Sequence, residues 1–285
     1  MKSIKLGGVP EHFNLPWHLG IENGDFEKAG ISVSWRDFPD GTGGMCKAMR
    51  NGELDGAVML TEGIIKDICA GNPAKIVQEY IGTPLIWGIH VAADSPYQSV
   101  EDLEHQRVAI SRFGSGSHLM AFVHAGRQGW NMRDLDFKTV IDIDGAVNAL
   151  EEEEAAYFLW EHFTTKPLVD KGIFRRLGDS PTPWPCFVIA FREEFLKEHS
   201  GEVDKLLKVL NEITSDFKQR PGVEKLLAER YGQKPEDIKE WLKLTEWSQQ
   251  QISEEEFERV QEELKELNLI TEKCKRSHVL HAFEK

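Results

Sequence analysis

Short apolar runs alternate with amphipathic stretches over the first two-thirds of the chain. Runs rich in β-branched and aromatic residues, bounded by Gly, Pro, Asn or Asp, predict strands at Ile4 to Gly7, Ile31 to Phe38, Gly56 to Leu60, Lys75 to Tyr80 and Leu85 to Val91. Further runs of this kind lie at Arg107 to Ile110, Phe137 to Ile141, Ala156 to Leu159 and Phe187 to Phe191. Helical spacing between them predicts helices at Leu15 to Asn23, Gly44 to Asn51, Glu62 to Ala70, Ser117 to Gln128 and Ala146 to Glu151. Gly24, Gly52 and Gly71 fall where three of these helices need a left-handed residue at the end. Alternating strands and helices imply an α/β fold, a largely parallel sheet with helices on its faces.

From about Glu193 the pattern changes to long, charged amphipathic segments with few strand signals. Leu206, Leu207, Val209, Leu210 and Ile213 form one apolar stripe, and Phe257, Val260, Leu264 and Leu267 form another. Both read as packing faces of surface helices. No internal repeat and no low-complexity tether is visible in the sequence, so any two lobes are joined by strands or short crossovers.

The 285 residues suffice for two compact lobes or one large domain, and 40% hydrophobic content rules out a disordered chain. A net charge of −14 repels nucleic acid and anionic membranes, and no basic patch offsets it. The cluster Lys273-Cys274-Lys275-Arg276 reads as the positive end of a terminal helix. No apolar run approaches the roughly 20 residues that span a bilayer, which excludes direct insertion. The opening Met-Lys-Ser-Ile-Lys-Leu-Gly-Gly goes straight into a strand without a signal-peptide core. As written, the chain is expected in the cytoplasm; removal of a leader would make it periplasmic. Cys46, Cys69, Cys186 and Cys274 lack C-x-x-C spacing and are expected as free, mostly buried thiols.

The segment Ile110-Ser111-Arg112-Phe113-Gly114-Ser115-Gly116-Ser117-His118 follows a predicted strand and opens a helix. Its glycines permit a tight turn, Ser115 and Ser117 suit a cap, and the free N–H groups of the helix start attract an anion. It fits neither the Walker A pattern nor G-x-G-x-x-G. Pro39-Asp40-Gly41-Thr42-Gly43-Gly44 has the same strand-to-helix setting, and Thr42 offers a hydroxyl beside Gly43. After the first strand, Glu11, His12, Phe13 and Asn14 combine ionisable, aromatic and amide groups. Ligands of open α/β sheets bind at the carboxyl ends of the strands, where these loops would converge. Trp87, Trp160 and Trp184 each offer a flat wall and one donor, Trp184 held between two prolines. Glu62 and Glu161 add carboxylates. His12, His118 and His162 make no ligand-spaced pair with them, so no metal site is expected. With no nucleophile elbow or protease-like Cys and His context, no catalytic residue is assigned.

The residues Gly8-Val9-Pro10, Leu15-Pro16, Gly20 and Gly24-Asp25-Phe26-Glu27-Lys28-Ala29-Gly30-Ile31-Ser32-Val33, with Gly41-Thr42-Gly43 and Asn51-Gly52-Glu53-Leu54-Asp55-Gly56-Ala57, resemble a known group. They look like type II periplasmic binding proteins of the alkanesulfonate and thiamine-pyrimidine-precursor group. Gly114-Ser115-Gly116-Ser117-His118, Phe158-Leu159-Trp160-Glu161, Phe163-Thr164-Thr165-Lys166-Pro167 and Thr182-Pro183-Trp184-Pro185-Cys186-Phe187 resemble, more narrowly, an orphan branch of that fold shared by bacteria and fungi, whose members lack export signals. The resemblance implies two α/β lobes with an interlobe cleft and C-terminal helices returning to the first lobe. Lobe one would comprise 1–90 plus 191–285 and lobe two 91–190, with crossovers near Trp87 to Val91 and near Ala190. Related pyrimidine-synthesising enzymes of yeast carry a cysteine-rich iron-binding run that this sequence lacks.

The expected function is a solute-binding protein that closes two lobes about a hinge over an anionic or polar heterocyclic molecule, without a cofactor. Ligand contacts are expected from Glu11, His12, Asn14, Thr42, Gly43, Glu62, Trp87, Ser111, Ser115, Gly116, Ser117, His118, Glu161 and Trp184. An ABC permease would be its partner if the protein is exported. The alternative is a cytoplasmic enzyme of thiamine-pyrimidine or related cofactor metabolism on the same fold. A regulatory sensor is a third reading, though no DNA-reading segment is present.

Overall fold

The computed structural model describes residues 3–283. Its strands are β1 (Ser3–Gly8), β2 (Ser32–Asp37), β3 (Gly56–Leu60), β4 (Ala74–Ile81), β5 (Ile86–Ala92), β6 (Val108–Ile110), β7 (Phe137–Thr139), β8 (Tyr157–Glu161), β9 (Phe174–Pro181) and β10 (Phe187–Arg192). The helices are α1 (Leu15–Glu22), α2 (Asp25–Lys28), α3 (Gly41–Arg50), α4 (Thr61–Cys69), α5 (Gly116–Gln128), α6 (Ile143–Glu151) and α7 (Lys166–Asp170). After β10 come α8 (Glu193–Ser215), α9 (Val223–Tyr231), α10 (Pro235–Leu244), α11 (Glu254–Glu266) and α12 (Arg276–Val279). Gly24, Gly52 and Gly71 all have positive φ, as the chain reversals there require.

The chain divides into two units. One contains the residues up to Thr83 and from Trp184 onward, and the other runs from Pro84 to Pro183. The boundaries of 90 and 190 expected from the resemblance therefore fall inside β5 and β10, strands that lie wholly in the second and first unit respectively.

In the first unit the sheet order is β2-β1-β3-β10-β4. β1 runs parallel to β2 and β3, while β10 runs antiparallel to β3 and β4. Every residue of β3 is buried, as expected for a central strand covered on both faces. Gly56 is required there: a Cβ would lie 2.7 Å from the Phe191 ring and 2.9 Å from the Ala190 carbonyl oxygen.

In the second unit the order is β7-β6-β8-β5-β9, with β6 parallel to β7 and β8, and β5 antiparallel to β8 and β9. Ala92, Ala109, Ala146, Leu150, Phe158 and Phe174 belong to its core, where small residues let α6 approach the sheet. Each sheet thus repeats one order, second-first-third, then an antiparallel strand, then fourth. The repeat lies in topology and not in sequence.

The stripes expected at Leu206 to Ile213 and Phe257 to Leu267 lie on α8 and at α11, and all but Val209 are buried. Two expectations are corrected. Cys69 and Cys274 form a disulfide with Cα atoms 5.7 Å apart, and Cys46 and Cys186 are buried thiols outside it. The pair is 205 residues apart, a contact that no spacing rule reaches. Lys273-Cys274-Lys275-Arg276 precedes and opens α12 instead of ending a helix. Lys273 is held by Glu258 and Glu262 of α11 at 3.0 and 3.1 Å, so its charge answers acidic side chains and not a helix dipole.

Candidate functional site

Four segments of the first unit meet at one end of its sheet. The β1 exit carries Glu11 to Asn14, the β2 exit leads to Thr42 and Gly43, the β3 exit runs into Thr61 and Glu62, and Trp184 precedes β10. Register fixes this: Gly8 pairs with Asp37, and Leu60 pairs with Phe187. The Thr42 hydroxyl accepts the Leu60 N–H at 3.1 Å, tying α3 to the end of β3. Gly63 keeps α4 close to it, since a Cβ there would meet the Thr42 methyl at 2.7 Å.

The centre of this end is Glu62, which is fully buried. The indole N–H of Trp184 donates to its Oε2 at 2.8 Å, while Oε1 has no hydrogen-bond partner among the described residues. Burial pushes the Glu62 carboxyl up to about 7, against the pull of its own backbone N–H and the Trp184 donor. Two further buried oxygens, Thr61 Oγ1 and Asn14 Oδ1, lack partners among the described residues. The Asn14 amide nitrogen donates to the Val9 carbonyl at 2.9 Å.

His12 packs edge-on to Trp241 with ring centroids 4.2 Å apart, which places it against the C-terminal helices. Glu11 and Gly43 are half-buried. Trp184 is 1% exposed, so it supports Glu62 more than it presents a wall.

In the second unit, Ser111, Ser115 and Ser117 form a hydroxyl cluster at the β6 exit. Ser117 Oγ accepts the Ser111 N–H at 2.9 Å and lies 3.3 and 3.1 Å from the Ser111 and Ser115 hydroxyls. Ser115 caps α5 by accepting the His118 N–H. The first-turn N–H groups of Gly116 and Ser117 have no intrahelical acceptor, as at any helix start. His118 accepts the Gly114 N–H at 3.1 Å and sits among Phe113, Phe122 and Phe137. Phe113 is 65% exposed, unusual for a large apolar side chain.

At the end of β8, Glu161 accepts the Thr164 N–H at 2.6 Å, and the buried Thr164 hydroxyl has no partner among the described residues. Trp87 lies opposite Glu161 in the strand pairing, with its ring 6.2 Å from Trp160. The indole nitrogens of Trp87 and Trp160 are both buried without acceptors among the described residues.

A network beside this end was not legible in sequence. Asp179 is 2.8 Å from His162 Nδ1, and Arg176 reaches His162 Nε2 at 2.6 Å and His90 Nε2 at 3.3 Å. Thr165 Oγ1 lies 2.8 Å from His90 Nε2. Burial, then the Arg176 charge, lowers His90 to about 3, so the ring is neutral. The network ties β9 to β5 and β8, and Gly88 leaves room for it: a Cβ would lie 2.6 Å from the His90 ring.

The two units have the periplasmic-binding-protein fold. Residues 87–180 match the model of the Ca3427-like PBP family. A Candida albicans protein, the CA3427 gene product described as defining a new family with the generic periplasmic binding protein fold, superposes with a TM-score of 0.85 at 22% identity. That match covers 96% of this chain and 92% of the other. The alkanesulfonate-binding protein SsuA of Xanthomonas axonopodis pv. citri, bound to MOPS, gives 0.81 at 18% identity over 98% of each chain. PhnD1 of Prochlorococcus marinus, in complex with methylphosphonate, gives 0.66 at 11% identity over 94% of this chain and 99% of that one. No curated protein matches the sequence.

Proposed function

We propose that this chain is a small-molecule-binding protein whose ligand is held by strand-end groups of each unit and whose units close on it. The observation that carries the reading is the end of the first sheet. Asn14, Thr61 and Glu62 bring buried oxygens there without partners among the described residues, and buried polar atoms are ordinarily satisfied. The α5 start, with Gly116 and Ser117 behind the Ser115 cap, suits an acidic or strongly polar group of the ligand. The ligands named for SsuA and PhnD1, a sulfonate and a phosphonate, support that class. If the protein is exported, an ABC permease is its partner, as an ABC-type import component of Staphylococcus aureus shares the fold.

Native mass spectrometry of the protein from its own host should show a discrete added mass. Small-angle scattering should show a smaller radius of gyration with that ligand than without it. An unchanged radius at saturation overturns closure, and absence of any ligand from the native protein speaks against the binding reading.

A second reading, an enzyme on the same fold, draws on Glu62 alone. A carboxyl group pushed up to about 7 is matched to proton transfer near neutrality. Chromatography of ligand recovered after long incubation decides: unchanged ligand supports binding, and conversion lost in Glu62→Gln supports the enzyme.

A further inference from the structure

Glu62 has an unusual charge balance. It is fully buried, yet no ion pair joins it to a Lys, Arg or His among the described residues. On its own helix, Lys66 lies one turn further along, is half-buried and makes no ion pair with Glu62 among the described residues; other cations on the elements around it are engaged elsewhere or face solvent. On α3, Arg50 pairs with Asp67 of α4, and Lys47 is exposed. At the end of β10, Arg192 pairs with Asp55 and Glu194. On α11, Arg259 pairs with Glu255. Glu258 and Glu262 take Lys273, and Glu254 takes Arg276 of α12. β3 contributes no titratable side chain.

Among the described residues the one side-chain donor to Glu62, the Trp184 indole, occupies Oε2. A buried carboxylate without a partner cation is costly. The unsatisfied atoms sharing this strand end, Asn14 Oδ1 and Thr61 Oγ1, include an obligate acceptor and a hydroxyl able to accept. Among the described residues no Lys, Arg or His side chain gives Glu62 a counter-charge, and its Oε1 still lacks a donor.

We infer that the ligand supplies them: resting on the binding reading above, the structure assigns the Glu62 end of the first unit to a cationic, N–H-rich group of amidinium or protonated amino-heterocycle type. Such a group places one N–H on Glu62 Oε1 and offers others to Asn14 and Thr61. It also acts as the missing counter-charge. Binding then draws the carboxyl into its ionised form and releases the proton that the empty site holds below about pH 7. The sign follows: affinity for such a cation rises with pH toward neutrality and levels off above it.

The test uses the full chain and three probes that share a phenyl ring: benzamidine, benzamide and benzenesulfonate. Isothermal titration at about pH 6, in two buffers of different ionisation enthalpy, counts protons. The Trp184 indole N–H signal, assigned by its loss in Trp184→Phe, reports where the probe sits. We expect benzamidine to bind more tightly than benzamide by at least about tenfold, one pKa unit's worth of differential interaction. It should release close to one proton at about pH 6, release almost none at about pH 8.5, and shift the Trp184 signal. Glu62→Gln should abolish both the preference and the proton release. Equal or tighter binding of benzamide or benzenesulfonate at this signal, or benzamidine binding without proton release, overturns the inference and leaves the binding reading standing. Failure of all three probes to move the signal at millimolar concentration also overturns it. The binding reading is judged separately, by the mass of the ligand carried by the native protein.

Discussion

Replacement of Glu62 by Gln keeps the shape of the side chain and removes its titration. In the folded chain burial raises this carboxyl from 4.5 to about 7. Between those values the folded state holds a proton that the unfolded state has lost. Stability therefore falls as pH rises from about 4.5 to about 7 and is level above it. The raised pKa corresponds to about 3 kcal/mol over that interval. His90 and His124 act in the opposite sense. Burial, aided by Arg176 and Arg127 respectively, lowers them to about 3 and about 4, so their contribution is complete above about 6.5 and is lost on acidification. Both histidines are present in wild type and variant and cancel in the difference. Urea melts of the two proteins in parallel, from about pH 4.5 to about pH 8, should show the Glu62→Gln variant gaining about 3 kcal/mol on wild type across the range. If the units unfold in separate steps, the gain belongs to the transition of the first unit. Two profiles that run parallel would refute the reasoning.

Ser117→Ala should strip the buried Ser111 N–H of its acceptor and cost about 1–3 kcal/mol, with faster amide exchange at Ser111. Gly88→Ala should drive a methyl group into His90 and Arg176, destabilising the second unit by about 1–3 kcal/mol in thermal melts. Thiol titration of the denatured, non-reduced chain should find only Cys46 and Cys186, and reduction of Cys69–Cys274 should lower stability by about 2–4 kcal/mol.

Much of the architecture was legible in the sequence because its strands are short, apolar and punctuated. β3 falls on Gly56–Leu60 as predicted, and α5 begins one residue before Ser117. β9 was missed for the opposite reason. Phe174-Arg175-Arg176-Leu177-Gly178-Asp179-Ser180-Pro181 is a polar edge strand with Gly and Pro inside it, which carries almost no burial signal. The Arg176–His162–Asp179 network went unseen with it. Glu62, Trp184 and Asn14 were singled out individually by residue type and position near strand ends. That Trp184 donates to Glu62 across 122 residues, and that no cation among the described residues pairs with Glu62, are facts of tertiary contact. His118 stood out by its place in the motif, whereas the three phenylalanine rings packed beside it come from tertiary contact and from its own helix.

The placement of β10 between β3 and β4 fixes an order of completion during synthesis. The second unit is one uninterrupted stretch, and its sheet has every strand once Pro181 has left the ribosome. The first unit begins earlier but then holds only β2-β1-β3 and a detached β4, with a gap that the later β10 fills. Its Cys69 waits longer still, for Cys274 near the other end of the chain. The half of the molecule that starts first is the half that finishes last, so a nascent chain stalled before Phe187 carries one finished unit and one open sheet.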